Sequence, residues 1–75
     1  MQITKLLKVE ESTHNIRRGG DAWKVTFQVE DGRVFEIDQL MQLNRPELHH
    51  IQIEAETHSD YFWTYWAKEV EVIRQ

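Results

Sequence analysis

The 75-residue chain has no cysteine, one proline and three glycines. The absence of cysteine excludes disulfide scaffolds, thiolate zinc sites and thiol nucleophiles, so packing alone must hold so small a chain together. Long apolar runs are also missing. None exceeds three residues, as in Tyr61-Phe62-Trp63, whereas a membrane-spanning helix needs about 20. Met1-Gln2-Ile3-Thr4-Lys5 carries nothing like the roughly 7 to 15 apolar residues of a secretory signal, and the expected location is the cytoplasm.

What is present is an ordinary globular composition, 40% hydrophobic and 29% charged, which reads as one domain over residues 1–75. A chain of this length buries only about 60% of its unfolded surface, leaving little interior for a cofactor cavity. No cofactor is expected. The net charge of −4 is uneven: residues 1–24 carry five basic and three acidic side chains, residues 25–75 four basic and ten acidic. A nucleic-acid binder usually shows a basic face, so only the N-terminal third is compatible with that class.

Residues 22–38 contain the clearest local pattern. Trp23, Val25, Phe27 and Val29 alternate with Lys24, Thr26 and Gln28, then Asp31-Gly32 interrupts before Val34-Phe35-Glu36-Ile37. This predicts a β-hairpin. A three-residue loop, Glu30-Asp31-Gly32 with Gly32 left-handed, sets Phe27 opposite Phe35 and Val25 opposite Ile37, apolar against apolar, with Lys24 opposite Asp38 on the outer face. Upstream, a strand over about residues 2–11 is expected to put Ile3, Leu7 and Val9 on one face and Leu6 on the other. Asp38 is a candidate cap for a short helical turn near residues 39–44 in which Leu40 and Leu43 share a face. From Leu48 a second alternation, with Ile51, Ile53, Ala55 and Thr57 on one side, predicts a fourth strand. Residues 61–74 can be read as a helix capped by Ser59 that buries Phe62, Trp66, Val70 and Ile73. Their density in aromatic and β-branched residues favours a fifth strand.

The predicted class is therefore mainly β: a small five-stranded antiparallel barrel or strongly curved sheet with one short helical turn. This element order, three strands, a short helix and two strands, resembles the oligonucleotide/oligosaccharide-binding fold over nearly the whole chain. The resemblance is one of element order, with no sequence motif behind it. It implies binding through the second and third strands and the neighbouring loops.

Residues that could carry chemistry are few. His50 and His58 on one strand would stand about 26 Å apart, and His49 and His50 would point to opposite faces, so no metal site is expected. Ser12 and Ser59 lie in turn-like sequence, and Gly19-Gly20 lacks the Lys and Ser/Thr of a phosphate-binding loop. Glu54 and Glu56 fall on an outer strand face, where an unperturbed carboxylate is a poor general acid at neutral pH. No catalytic residue is identified, and the chain is not expected to be an enzyme.

The remaining signal is aromatic. Tyr61, Phe62, Trp63, Tyr65 and Trp66 crowd six positions, and no regular conformation hides them all on one side. On a strand, Phe62 and Trp66 turn inward while Tyr61, Trp63 and Tyr65 face out beside His58 and Glu56. These five outward residues form the expected interface of a binding module whose partner is another protein or a second copy. The alternative is an oligonucleotide-binding-type single-stranded nucleic-acid binder. There Arg17, Arg18 and Lys24 would follow the phosphate backbone, or meet another acidic partner, while Trp23, Phe27 or Phe35 stack bases.

Overall fold

The computed structural model describes residues 1–12 and 21–70. Four antiparallel strands form one open sheet: β1 (Ile3–Glu11), β2 (Ala22–Val29), β3 (Val34–Met41) and β4 (Lys68–Val70), in the spatial order β1-β2-β3-β4. Between β3 and β4 the chain forms helix α1 (Leu48–Tyr61) and a π-helical turn (Phe62–Trp66). The domain is mainly β, but among the described residues there is no fifth strand and the sheet does not close into a barrel.

The β2–β3 hairpin forms in the predicted register, with Val25 opposite Ile37 and Phe27 opposite Phe35. Its three-residue loop is closed by Val29 N–H donating to Arg33 O and Gly32 N–H to Val29 O, both at 3.0 Å. Gly32 has φ of 94°, a conformation nearly free of cost only to a residue without Cβ. The expected pairing of Lys24 with Asp38 is absent, because a register shift lies between Trp23 and Val25. Lys24 Nζ lies 3.9 Å from a Glu36 carboxylate oxygen instead.

That shift also corrects the predicted helical turn at 39–44. β3 runs on to Met41, and Gln39 sits at φ 62° where the strand bulges. Asp38 does accept a backbone N–H, but it is that of Gln39 in the bulge, at 2.9 Å, and its Oδ1 also accepts the buried Ser12 hydroxyl at 2.7 Å. Leu40 and Leu43 part company: the first is buried, the second 84% exposed.

In β1 the inward residues are Ile3, Leu6 and Val9, opposite Val29, Phe27 and Val25. Leu7 is exposed, contrary to the simple alternation. Two register shifts, between Ile3 and Lys5 and between Leu6 and Lys8, each insert one residue and turn a period of two into a period of three.

Residues 48–61 form a helix, not the predicted fourth strand. Leu48, Ile51 and Ala55, spaced i, i+3, i+7, face the core cluster, whereas Ile53, which a strand would have placed with Ile51, is exposed. Pro46 is buried, and Glu47 opens the helix by reciprocal bonds with His50. Gln52 Nε2 donates to Ile3 O at 3.0 Å, tying the helix to the edge strand. Ser59, at φ 49° and ψ −121°, breaks the helical geometry before the chain turns into Phe62. One sheet face thus packs beneath the helical segment through Ile3, Val25, Phe27, Val29, Phe35, Ile37, Leu40, Ile51 and Phe62. Among the described residues the predicted fifth strand survives only as the short β4, which pairs with Val34, Phe35 and Glu36 of β3, and its last positions, 71–74, lie outside the described residues.

Candidate functional site

The crowded aromatic segment is sorted by the π-helical turn. Ala67 N–H reaches back five residues to Phe62 O at 2.8 Å, so this turn is wider than an α-helical one by a residue. Phe62 is fully buried, and Trp63 packs into the core with its ring centroid 4.9 Å from Phe62, 5.3 Å from Phe35 and 6.1 Å from Phe27. The expected outward orientation of Trp63 is therefore corrected. The strand reading failed here because a helical path carries neighbouring residues 62 and 63 to the same side.

Tyr61 and Tyr65 do face outward, 52% and 73% exposed, with ring centroids 4.9 Å apart. Trp66, partly buried, joins them: its ring lies 5.9 Å from Tyr61 and 4.5 Å from His58. His58 Nε2 is 3.0 Å from a Glu54 carboxylate oxygen one helical turn earlier, which braces the imidazole against the indole. On the sheet side, a cleft bordered by Tyr65, Trp66, Met41, Glu36, Asp38 and Lys68 continues this surface. Met41 is 47% exposed.

Of the five residues expected at the interface, His58, Tyr61 and Tyr65 come together. Trp63, partly buried, packs against the core, and its remaining edge borders with Glu56 a different cleft, beside Met1, Gln2 and Ile3. Trp66 and Met41 were missed. His58, Tyr61 and Tyr65 fall on one outward side in the strand reading as well as in the structure, which is why the sequence groups them.

For the alternative ligand, Arg17 and Arg18 lie outside the described residues. Lys24 stands on the sheet face opposite the helix, in register with Glu10 and near Glu36. Phe27 and Phe35 are buried on the core face, and Trp23 is fastened there by its indole N–H, which donates to Gln42 O at 2.7 Å.

The strand reading also kept His49 and His50 apart, and the helix overturns its premise. At the start of α1, donor atoms of Glu47, His49 and His50 all lie within 4.8 Å of one another. Among the described residues no helix is long and apolar enough to cross a membrane. Comparison with known protein families, curated proteins and solved structures found no match.

Proposed function

We propose that the chain is a non-catalytic binding module that acts through protein–protein contact, and that its partner at this surface is a second copy of itself. The observation that carries this reading is the exposed tyrosine pair, Tyr61 and Tyr65, held 4.9 Å apart against Trp66. Each aromatic side chain offers roughly 150 to 250 Å², and with Met41 they make a contiguous apolar surface of the size at which interaction sites are usually found.

One feature favours a second copy over a partner of one charge sign. The rim is mixed, with Lys68 beside Glu36 and Asp38, so a two-fold axis through the cleft can set cation against carboxylate on both sides. An interface of this kind is self-complementary by construction. An apolar aromatic centre with a charged rim is also the usual anatomy of a protein interface. Single-strand binding gains no comparable support, because the rings it would use for stacking are built into the core.

Sedimentation of the wild-type chain across a wide concentration range tests the reading. A monomer–dimer equilibrium is expected, and Tyr61→Ala with Tyr65→Ala should abolish it while leaving the fold intact. A wild type that stays monomeric at millimolar concentration overturns it.

A further inference from the structure

The Glu47, His49 and His50 cluster is separate from the tyrosine face and serves a different chemistry. We infer that these three residues form a binding site for a divalent transition-metal ion such as zinc(II). Two imidazoles and a carboxylate are the donor types that borderline ions of this class prefer. They come from one short stretch of backbone, so no distant segment has to move to complete the set.

The geometry is close to what an ion requires. Glu47 Oε2 and His49 Nδ1 are 3.6 Å apart, the two imidazole centroids 3.9 Å, and one donor atom from each of the three residues lies within 4.8 Å of the other two. Tetrahedral ligation with metal–ligand bonds of about 2.0 to 2.1 Å separates donors by about 3.4 Å. The remaining contraction is within reach of side-chain torsions, because the Glu47 and His49 side chains are 72% and 59% exposed.

Hydrogen bonding at the helix start already holds part of the set. The Glu47 carbonyl oxygen accepts the backbone N–H of His50 at 3.0 Å, and the Glu47 backbone N–H donates to His50 Nδ1 at 2.9 Å. The His50 ring takes the part that glutamate or glutamine usually plays at this position of a capping box. It has a chemical consequence. A ring whose Nδ1 accepts a hydrogen bond carries its proton on Nε2. A metal must therefore either take Nδ1 directly or take Nε2 while the proton moves to Nδ1. On both routes the Glu47 N–H loses its acceptor, so metal binding exchanges one capping bond for a coordinate bond. Three protein donors leave the remaining positions to water.

Titration of the intact chain with zinc chloride, followed by amide and imidazole NMR, tests the site. A saturable one-to-one phase is expected, centred on Glu47, His49 and His50, reversed by EDTA, with an upfield shift of the Glu47 amide proton as its hydrogen bond is lost. His50→Gln keeps an acceptor for the cap but removes the ligand, and His49→Ala removes a ring that takes no part in the cap. Both variants should retain the helical circular dichroism and lose the saturable phase. Absence of a saturable phase in the wild type up to 1 mM zinc, or its survival in either variant, overturns the inference.

Discussion

Replacing Trp63 by alanine probes the packing directly, because the same ring would be expendable to the fold if it faced solvent. In the structure the indole stands edge-on to Phe35 at 5.3 Å and to Phe62 at 4.9 Å, with interplanar angles of 75° and 79°. A largely buried indole removes about 150 Å² of apolar area from water, which at about 25 cal/mol per Å² contributes about 3 to 4 kcal/mol. Deleting buried aromatics to alanine typically costs about 3 to 5 kcal/mol, so the two routes agree. Total stabilities near 0.1 kcal/mol per residue leave a chain of this length only about 4 to 11 kcal/mol. Trp63→Ala should therefore lower the urea midpoint severely or unfold the domain, and Trp63→Leu, which refills part of the space, should give an intermediate loss. Circular dichroism during urea unfolding measures both. By contrast, Tyr61→Ala and Tyr65→Ala should each shift monomer stability by no more than about 0.5 kcal/mol, as exposed positions do. A Trp63→Ala variant within about 1 kcal/mol of wild type would refute the core placement.

Two further predictions concern the hairpin loop. A Cβ at Gly32 would meet nothing within 4 Å, so Gly32→Ala tests backbone conformation alone and should cost about 1 to 2 kcal/mol of unfolding free energy; an unchanged melting midpoint would contradict the left-handed turn. The Asp31 carboxyl is held below the ordinary aspartate range first by the backbone N–H of Arg33 and then by its guanidinium, at 3.0 and 2.8 Å. Its contribution to stability should be present above the unfolded-chain value and fade as pH falls through the lower folded value. A carbon-detected NMR titration of Asp31, with Asp31→Asn as the non-titrating reference, measures this, and a midpoint at or above that of an unstructured aspartate would contradict it.

The hairpin was legible because its signals agree: alternation on both sides of Asp31-Gly32 admits one register in which rings oppose rings. Elsewhere, local geometry changed the period. The bulges of β1 bring Leu6 inward and leave Leu7 out, an exchange invisible to any reading that assumes a constant period of two. Residues 48–58 satisfy two templates at once, since Ile51, Ile53 and Ala55 alternate while Leu48, Ile51 and Ala55 recur at helical spacing. Tertiary packing decides between them: Ile51 is fully buried and Ile53 is not. The same error propagated to the site. Tyr61 and Tyr65 point outward on either path, so they were found. Trp63 was misplaced because a π-helical turn follows neither the strand nor the α-helix period. Met41 escapes the sequence pattern because residues 39–44 read as a helical turn, although it belongs to the last residue pair of β2 and β3.

The central claim is that Tyr61 and Tyr65 serve association and not folding. Sedimentation equilibrium of the wild type and of the Tyr61→Ala, Tyr65→Ala double variant, each from about 10 μM to 1 mM, tests it most directly. The account predicts a concentration-dependent dimer for the wild type and a folded monomer throughout for the variant, since central aromatics often contribute about 2 kcal/mol or more to an interface. A wild type that is monomeric over the whole range, or a double variant that dimerises as strongly as the wild type, would contradict it.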